Sequence, residues 1–215
     1  MAPIQARAEV TRQVIIDAGV ELFGSVGYGD TDMIDVINRA NTTKGTCYYH
    51  FPTKKALAVA IIEQSNHRIA SAVGRLWETE APALHKLVAA TFAFVAVTET
   101  DPIARVGYQL NQADRQVSRS GQHGFGDTEV VFTDALKKAS AEGHIRKGLD
   151  VGEAAYTLFA ALVGARLLAD VYNEDPLERL EEAWRTLLPS LVPEDVLKEM
   201  RRVVRTESRK YRAGV

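Results

Sequence analysis

The stretch TDMIDVINRANTTKGTCYYHFPTKKAL, residues 31–57, decides how the chain folds. Thr31 reads as an N-cap for a short helix over Asp32–Ala40, whose first turn carries Asp32 and Asp35 at the positive end of its dipole. Asn41 tolerates left-handed backbone, and Thr42 or Thr43 can cap a second short helix. That second helix, Thr43–His50, is barely two turns long, because Pro52 forbids helical angles at the residue before it. Thr53 then caps a longer helix that runs to Trp77. Two short helices joined by a turn of about three or four residues make a helix-turn-helix, and the second helix of that motif enters the major groove of DNA.

The residues of the second short helix suit that task. Gly45 costs about 0.5–1 kcal/mol relative to alanine in a helix, but lets the backbone approach a phosphate or a base edge. Lys44 can neutralise a phosphate; Tyr48, Tyr49 and His50 carry donors that reach phosphate oxygens while their rings pack. Thr46 can touch a thymine methyl or donate to a base. Lys54 and Lys55 sit at the start of the longer helix, where cations oppose the dipole unless a polyanion lies nearby. The plainer readings are a small structural hairpin, with Tyr48 a core aromatic and Cys47 a small buried hydrophobe rather than a redox switch. Charge gives no general support: residues 1–50 hold Arg7, Arg12, Arg39 and Lys44 against Glu9, Asp17, Glu21, Asp30, Asp32 and Asp35. DNA binding therefore requires the basic groups to cluster on one face.

Outward from the motif, helix periodicity continues everywhere. From Arg7 to Val26, Val10, Val14, Ala18 and Leu22 recur every fourth residue, with Ile15 and Phe23 widening the stripe, and Gly27 suits a left-handed helix end. Beyond Pro82, helical segments are expected at 83–98, 102–114, 128–142, 152–172, 177–190 and 193–210, with SRSGQHGFGD as one of the breaks. No window alternates as a strand, and there are no internal repeats. The fold class is all-α: a helix-turn-helix domain over 1–52 and a helical-bundle domain over 53–215, in which 53–77 connects the two. The 215 residues, 46% hydrophobic and 25% charged with net charge −2, have an ordinary globular balance. The single cysteine excludes an internal disulfide and suits a cytoplasmic protein. No signal peptide is expected, and LVAATFAFVAV (87–97) and AAYTLFAALVGARLLA (154–169) read as too short or too interrupted to span a bilayer.

The run TRQVIIDAGVELFGSVGY, together with TDMIDVINRANTTKGTCYYHFPTKKAL, resembles the DNA-binding domain of the TetR family of bacterial transcription regulators. The resemblance implies that Lys44, Tyr48 and His50 contact phosphates, that Thr43 and Thr46 lie against bases, and that Arg12 lies near the DNA backbone; Thr31, Gly45, Tyr49 and Lys54 complete the candidate contacts. Asn41 stands where the family usually has glycine, Thr42 where it has valine, and Ile37 where it has alanine. The segments DPIARVGYQL (101–110) and AEGHIRKGLDVGEAAYTLFAALVGARLLAD (141–170) are similar to the γ-butyrolactone receptor branch. Thr128 falls where that branch usually has a ligand-contacting tryptophan.

The resemblance implies a homodimeric repressor that binds a palindromic double-stranded operator and is released by a small, largely apolar effector. Trp77, Phe92, Val95, Tyr108, Gln109, Thr128, Val131, Phe132, Phe159 and Leu162 are the candidate lining residues for that effector, with Thr91 and Arg166 as further polar groups; the plainer reading is ordinary core. The basic run at the C-terminus reads as a solvated helix face. The five histidines form no metal motif, and no catalytic or nucleotide motif occurs. The expectation is no enzyme, no cofactor and no membrane partner. The alternative is a helical small-molecule carrier or scaffold without DNA binding, which retention on duplex DNA at low salt would separate from a regulator.

Overall fold

The structure is a computed structural model that describes residues 3–114 and 121–213. It is helical throughout: α1 Pro3–Ser25, α2 Met33–Arg39, α3 Lys44–His50, α4 Lys54–Trp77, α5 Ala83–Thr100, α6 Pro102–Asp114, α7 Gly121–Ala141, α8 Val151–Tyr172, α9 Pro176–Leu191 and α10 Glu194–Arg212. The chain packs as two units. One holds the residues up to Ala70 and those from Val97 through α6; the other holds Ser71–Ala96 and everything from α7 on. These units do not match the sequence division at residue 52. Ile103, Val106 and Leu110 of α6 share a core with α1–α4, so a helix from beyond that division joins the first unit.

In the first unit, the stripe expected on α1 is buried along its later turns, where Ile15, Ala18 and Phe23 enter the core and Leu22 packs against it, but not at its start. Val10 and Val14 are 65% and 44% exposed, whereas Ile15, Ile16, Val20 and Phe23 are buried. Gly19 lets α4 pack closely on this face: a Cβ there would lie 2.9 Å from Leu57 Cδ2. α4 also approaches α6 closely, where a Cβ on Gly107 would lie 2.2 Å from Ser65 Cβ. Ser65 Oγ donates to the Ala104 carbonyl at 3.0 Å, and Arg68 pairs with Asp101. Asp101 caps α6 by accepting from the N–H groups of Ile103 and Ala104 at 2.9 and 3.1 Å. Burial works against its charge, but the bonds from Arg68 and these N–H groups hold its carboxyl below the ordinary value of 3.8.

In the second unit, α8 packs against α7 and α9, and α9 against α10. Its core gathers Phe92, Val95, Phe132, Leu158, Trp184 and Met200. The buried Trp184 indole donates to Thr91 Oγ1 at 2.9 Å, and Thr91 in turn donates to the Val88 carbonyl at 2.7 Å. α7 begins at Gly121, inside the stretch expected as a break before residue 128. Asp150 and Asp175 cap α8 and α9 through their side chains, Pro176 opens α9, and Asn173 ends α8 at φ 54°.

Two helices exceed what the apolar runs suggested. α5 and α8 are each long and apolar enough to cross a membrane by length and composition. The apolar window of α5 is mostly buried in the protein, but that of α8 is only 33% buried. Tyr156, Leu167, Leu168, Val171 and Tyr172 are exposed there. Tyr156, Leu167 and Val171, at helical spacing, form one apolar stripe.

Candidate nucleic-acid interface

The turn between α2 and α3 is built by local rules. Asn41 adopts φ 48°, and the N–H groups of Asn41 and Thr42 bond to the carbonyls of Asn38 and Ile37, both at 3.2 Å, which closes α2 with a Schellman motif. Asp32, rather than Thr31, caps α2; the Asp35 carboxylate reaches back to the Asp32 N–H at 2.9 Å. Thr43 caps α3, accepting from the Thr46 N–H at 3.2 Å, and the two threonine hydroxyls sit 2.8 Å apart.

Burial of one side of α3 decides what its other side shows. Cys47 and Phe51, four residues apart, are sunk into the core with Ile15, Val36, Ile37 and Leu57. Burial pushes the Cys47 thiol up, which suits a small hydrophobe. The remaining positions point outward: Thr43, Lys44, Gly45 and Tyr48 are exposed, Tyr49 is 82% exposed, and Thr46 and His50 are half-buried. A Cβ on Gly45 would meet nothing within 4 Å, so packing inside the unit does not require glycine there. Lys44 Nζ stands 6.0 Å from the Tyr48 ring centroid, and the Tyr49 and His50 rings meet edge to face at 5.2 Å. The Arg12 guanidinium lies 5.3 Å above the Phe51 ring, so α1 brings a cation beside the end of α3. Phe51, as the seat of Arg12, is a contribution that the sequence did not signal.

Two expected contacts have other work. Thr31 is buried, and its hydroxyl donates to the Gly27 carbonyl at 2.7 Å. Lys54 Nζ donates to the carbonyls of Tyr28 at 2.8 Å, Gly29 at 3.3 Å and Thr31 at 2.8 Å, and lies 4.6 Å from the Tyr28 ring centroid. All three of its protons are engaged in holding the α1–α2 loop. The negative ends that balance this cation are carbonyls of the same unit. Arg39 is likewise taken, by Glu21. Thr43, Lys44, Gly45, Thr46, Tyr48, Tyr49 and His50 are the expected residues that stay exposed or half-buried on and beside α3, and Arg12, 3.8 Å from Glu9, lies next to Phe51.

The residues expected around an effector divide. Trp77, Phe92, Val95, Phe132, Phe159 and Leu162 belong to or pack on the core of the second unit, where the Phe132 and Phe159 rings are 5.3 Å apart. Thr128 is half-buried on α7, and Val131 is exposed. Tyr108 and Gln109 lie on α6, which belongs to the first unit. Thr91 is a structural partner of Trp184, and Arg166 pairs with Asp170 on α8. Among the described residues no group of three or more His, Cys, Asp or Glu could hold a metal ion; the His123 side chain lies outside them.

A two-turn helix with a buried edge and a polar, glycine-bearing outer face, set against a capped partner helix, defines a helix-turn-helix DNA-binding protein. Residues 15–61 match the family described as bacterial regulatory proteins, tetR family, and residues 81–193 match the tetracyclin repressor-like C-terminal domain. The chain belongs to the TetR family, whose members are DNA-binding transcriptional regulators and not enzymes. It is 29% identical over 195 residues to the A-factor receptor protein of Streptomyces griseus, spanning 90% of this chain and 68% of that one. A γ-butyrolactone receptor described as ArpA-like has the same fold, with a TM-score of 0.81 and 28% identity over 95% of this chain and 99% of that one. The TetR-family protein CprB of Streptomyces coelicolor, solved with its biological operator sequence, gives a TM-score of 0.78 and 29% identity over 95% and 99%.

Proposed function

We propose that this chain is a ligand-responsive transcriptional repressor of the cytoplasm that binds a palindromic operator as a homodimer and is released by a small, largely apolar molecule of the γ-butyrolactone type. The observation that carries the reading is the exposed part of α3: Lys44, Gly45, Tyr48 and Tyr49 face solvent while Cys47 and Phe51 are buried. Lys44, Tyr48, His50 and Arg12 would hold phosphates, and Thr43 and Thr46 would read base edges. The apolar stripe of α8 supports the dimer, since a patch of that kind on a water-facing helix marks an interface, and α9 beside it would extend the surface. Two-fold symmetry would then require α3 helices about 34–36 Å apart, or a multiple of it. α4 has residues in both units and is the natural transmitter: an effector weakens DNA binding only by preferring an arrangement with the wrong spacing.

A footprint of the protein on the DNA upstream of its own gene tests the reading, with a synthetic γ-butyrolactone added in parallel. Protection of an inverted repeat, lost on addition, supports it; no protection of any duplex at low salt overturns it. Leu167→Glu with Val171→Glu tests the interface by light scattering: a monomer with weakened operator binding is expected. Retention of the wild-type size and affinity would place the interface elsewhere.

A further inference from the structure

The second unit carries a cleft of about 340 Å³ that the DNA-binding reading does not use. That volume lies at the lower end of the range of small-molecule sites, about 300–1,000 Å³. It opens where the last turn of α4 meets α5 and α10. Leu76, Ala89 and Val203 give it an apolar wall, while Lys86, Arg202 and Thr206 stand on its sides. These polar residues come from two helices far apart in sequence, and Arg202, Val203 and Thr206 fall on one face of α10.

The charges around the cleft are unequal. Its acid, Glu207, is paired with Lys210 at 3.2 Å, and nearby Glu199 lies 3.2 Å from His85 Nε2. Among the described residues neither Lys86 nor Arg202 has a carboxylate partner within ion-pair distance; Lys86 Nζ makes a 3.3 Å bond to the Trp77 carbonyl. Two cations beside an apolar wall, with the local acids already engaged, suit a ligand that is anionic at one end and greasy at the other. The planar fork of Arg202 matches a carboxylate in particular.

We propose that this cleft binds a small aliphatic carboxylate, its tail on Leu76, Ala89 and Val203 and its head between Lys86 and Arg202. The cleft is lined by none of Phe92, Phe132, Phe159 or Leu162, the candidate effector residues that lie in or on the core. His85 lines the same cleft and adds a pH dependence. Burial holds its imidazole below the ordinary range; Glu199 works against that, His144 stacked 6.2 Å away works with it, Glu142 works against it, and Arg202 works with it. Neutral His85 leaves the Glu199 carboxylate uncompensated, whereas protonated His85 neutralises it and makes the surroundings of the head group one charge more positive. Binding therefore tightens as pH falls through and below the imidazole range.

Titration calorimetry of the full chain with octanoate and with octanol tests this. One octanoate per chain is expected, bound more tightly than octanol. Lys86→Gln and Arg202→Gln should each weaken octanoate about five-fold while leaving octanol unchanged. Ala89→Trp should abolish both, and His85→Gln should flatten the pH dependence without changing affinity at alkaline pH. Arg202 is exposed and Lys86 only half-buried, so folding of their variants is not at risk. Equal affinity for octanoate and octanol, octanoate binding indifferent to both charge variants, or no binding at millimolar octanoate would each overturn the proposal. None of these outcomes bears on whether the protein binds DNA.

Discussion

Lys54→Met separates two roles that one lysine at a helix start can have. The sequence points to a phosphate contact, whereas the structure engages the ammonium with the carbonyls of Tyr28, Gly29 and Thr31, two of them at 2.8 Å. A hydrogen bond to a charged group contributes about 1.5–3 kcal/mol, and the cation over the Tyr28 ring adds about 0.5–1 kcal/mol. Methionine keeps most of the aliphatic stem, and the half-buried site discounts the upper values, leaving a loss of about 2–3 kcal/mol. For a chain of this size that lowers the melting temperature by about 4–12 °C. DNA binding, measured well below that midpoint, should keep the salt dependence of the wild type. Lys44→Gln is the counterpart: its stability should stay within about 0.5 kcal/mol, while the slope of log affinity against log salt falls by about 0.9 per chain. The reasoning is refuted if Lys54→Met melts with the wild type and it is this variant that loses the salt slope.

Gly107→Ala should destabilise by about 1–3 kcal/mol or more, since its Cβ would lie 2.2 Å from Ser65 Cβ and 3.0 Å from the Ile61 carbonyl oxygen; adding Ser65→Gly should recover part of the loss in a thermal melt. Asp101 has a depressed pKa, so its contribution is complete above the unfolded value near 3.8 and is lost as pH falls through the lower folded value; Asp101→Asn should flatten acid denaturation in that window. Ile15→Ala should cost about 2–5 kcal/mol by urea unfolding, and Val14→Ala, at a position 44% exposed, less than about 1 kcal/mol.

How much of this molecule its sequence shows depends on the range of the forces involved. Gly27 at φ 97°, Asn41 at φ 48°, and the caps Thr43 and Thr53 are set by neighbours within four residues, and each stands where the residue types put it. The outward face of α3 follows for a related reason: with Cys47 and Phe51 inward, helix geometry turns Gly45 and Tyr49 out, while Lys44, one turn before Cys47, is exposed as the first residue of the helix. Periodicity on α1 found the helix and most of its inward face, since Ile15, Ala18 and Phe23 are buried and Leu22 packs on the core, but it carried the stripe too far towards the start, where Val10 and Val14 are exposed. The structural bonds of Lys54 were hidden by distance along the chain: the local sequence shows an uncompensated cation at a helix start, and the carbonyls that engage it come from a loop more than twenty residues earlier. The cleft beside Lys86 and Arg202 lies further still from any local rule, since it forms where the end of α4, one face of α5 and one face of α10 come together. A DNA contact proposed from composition at a helix start therefore needs the accounting that separates Lys44 from Lys54: a cation is available to a phosphate only when the fold has left its protons unclaimed.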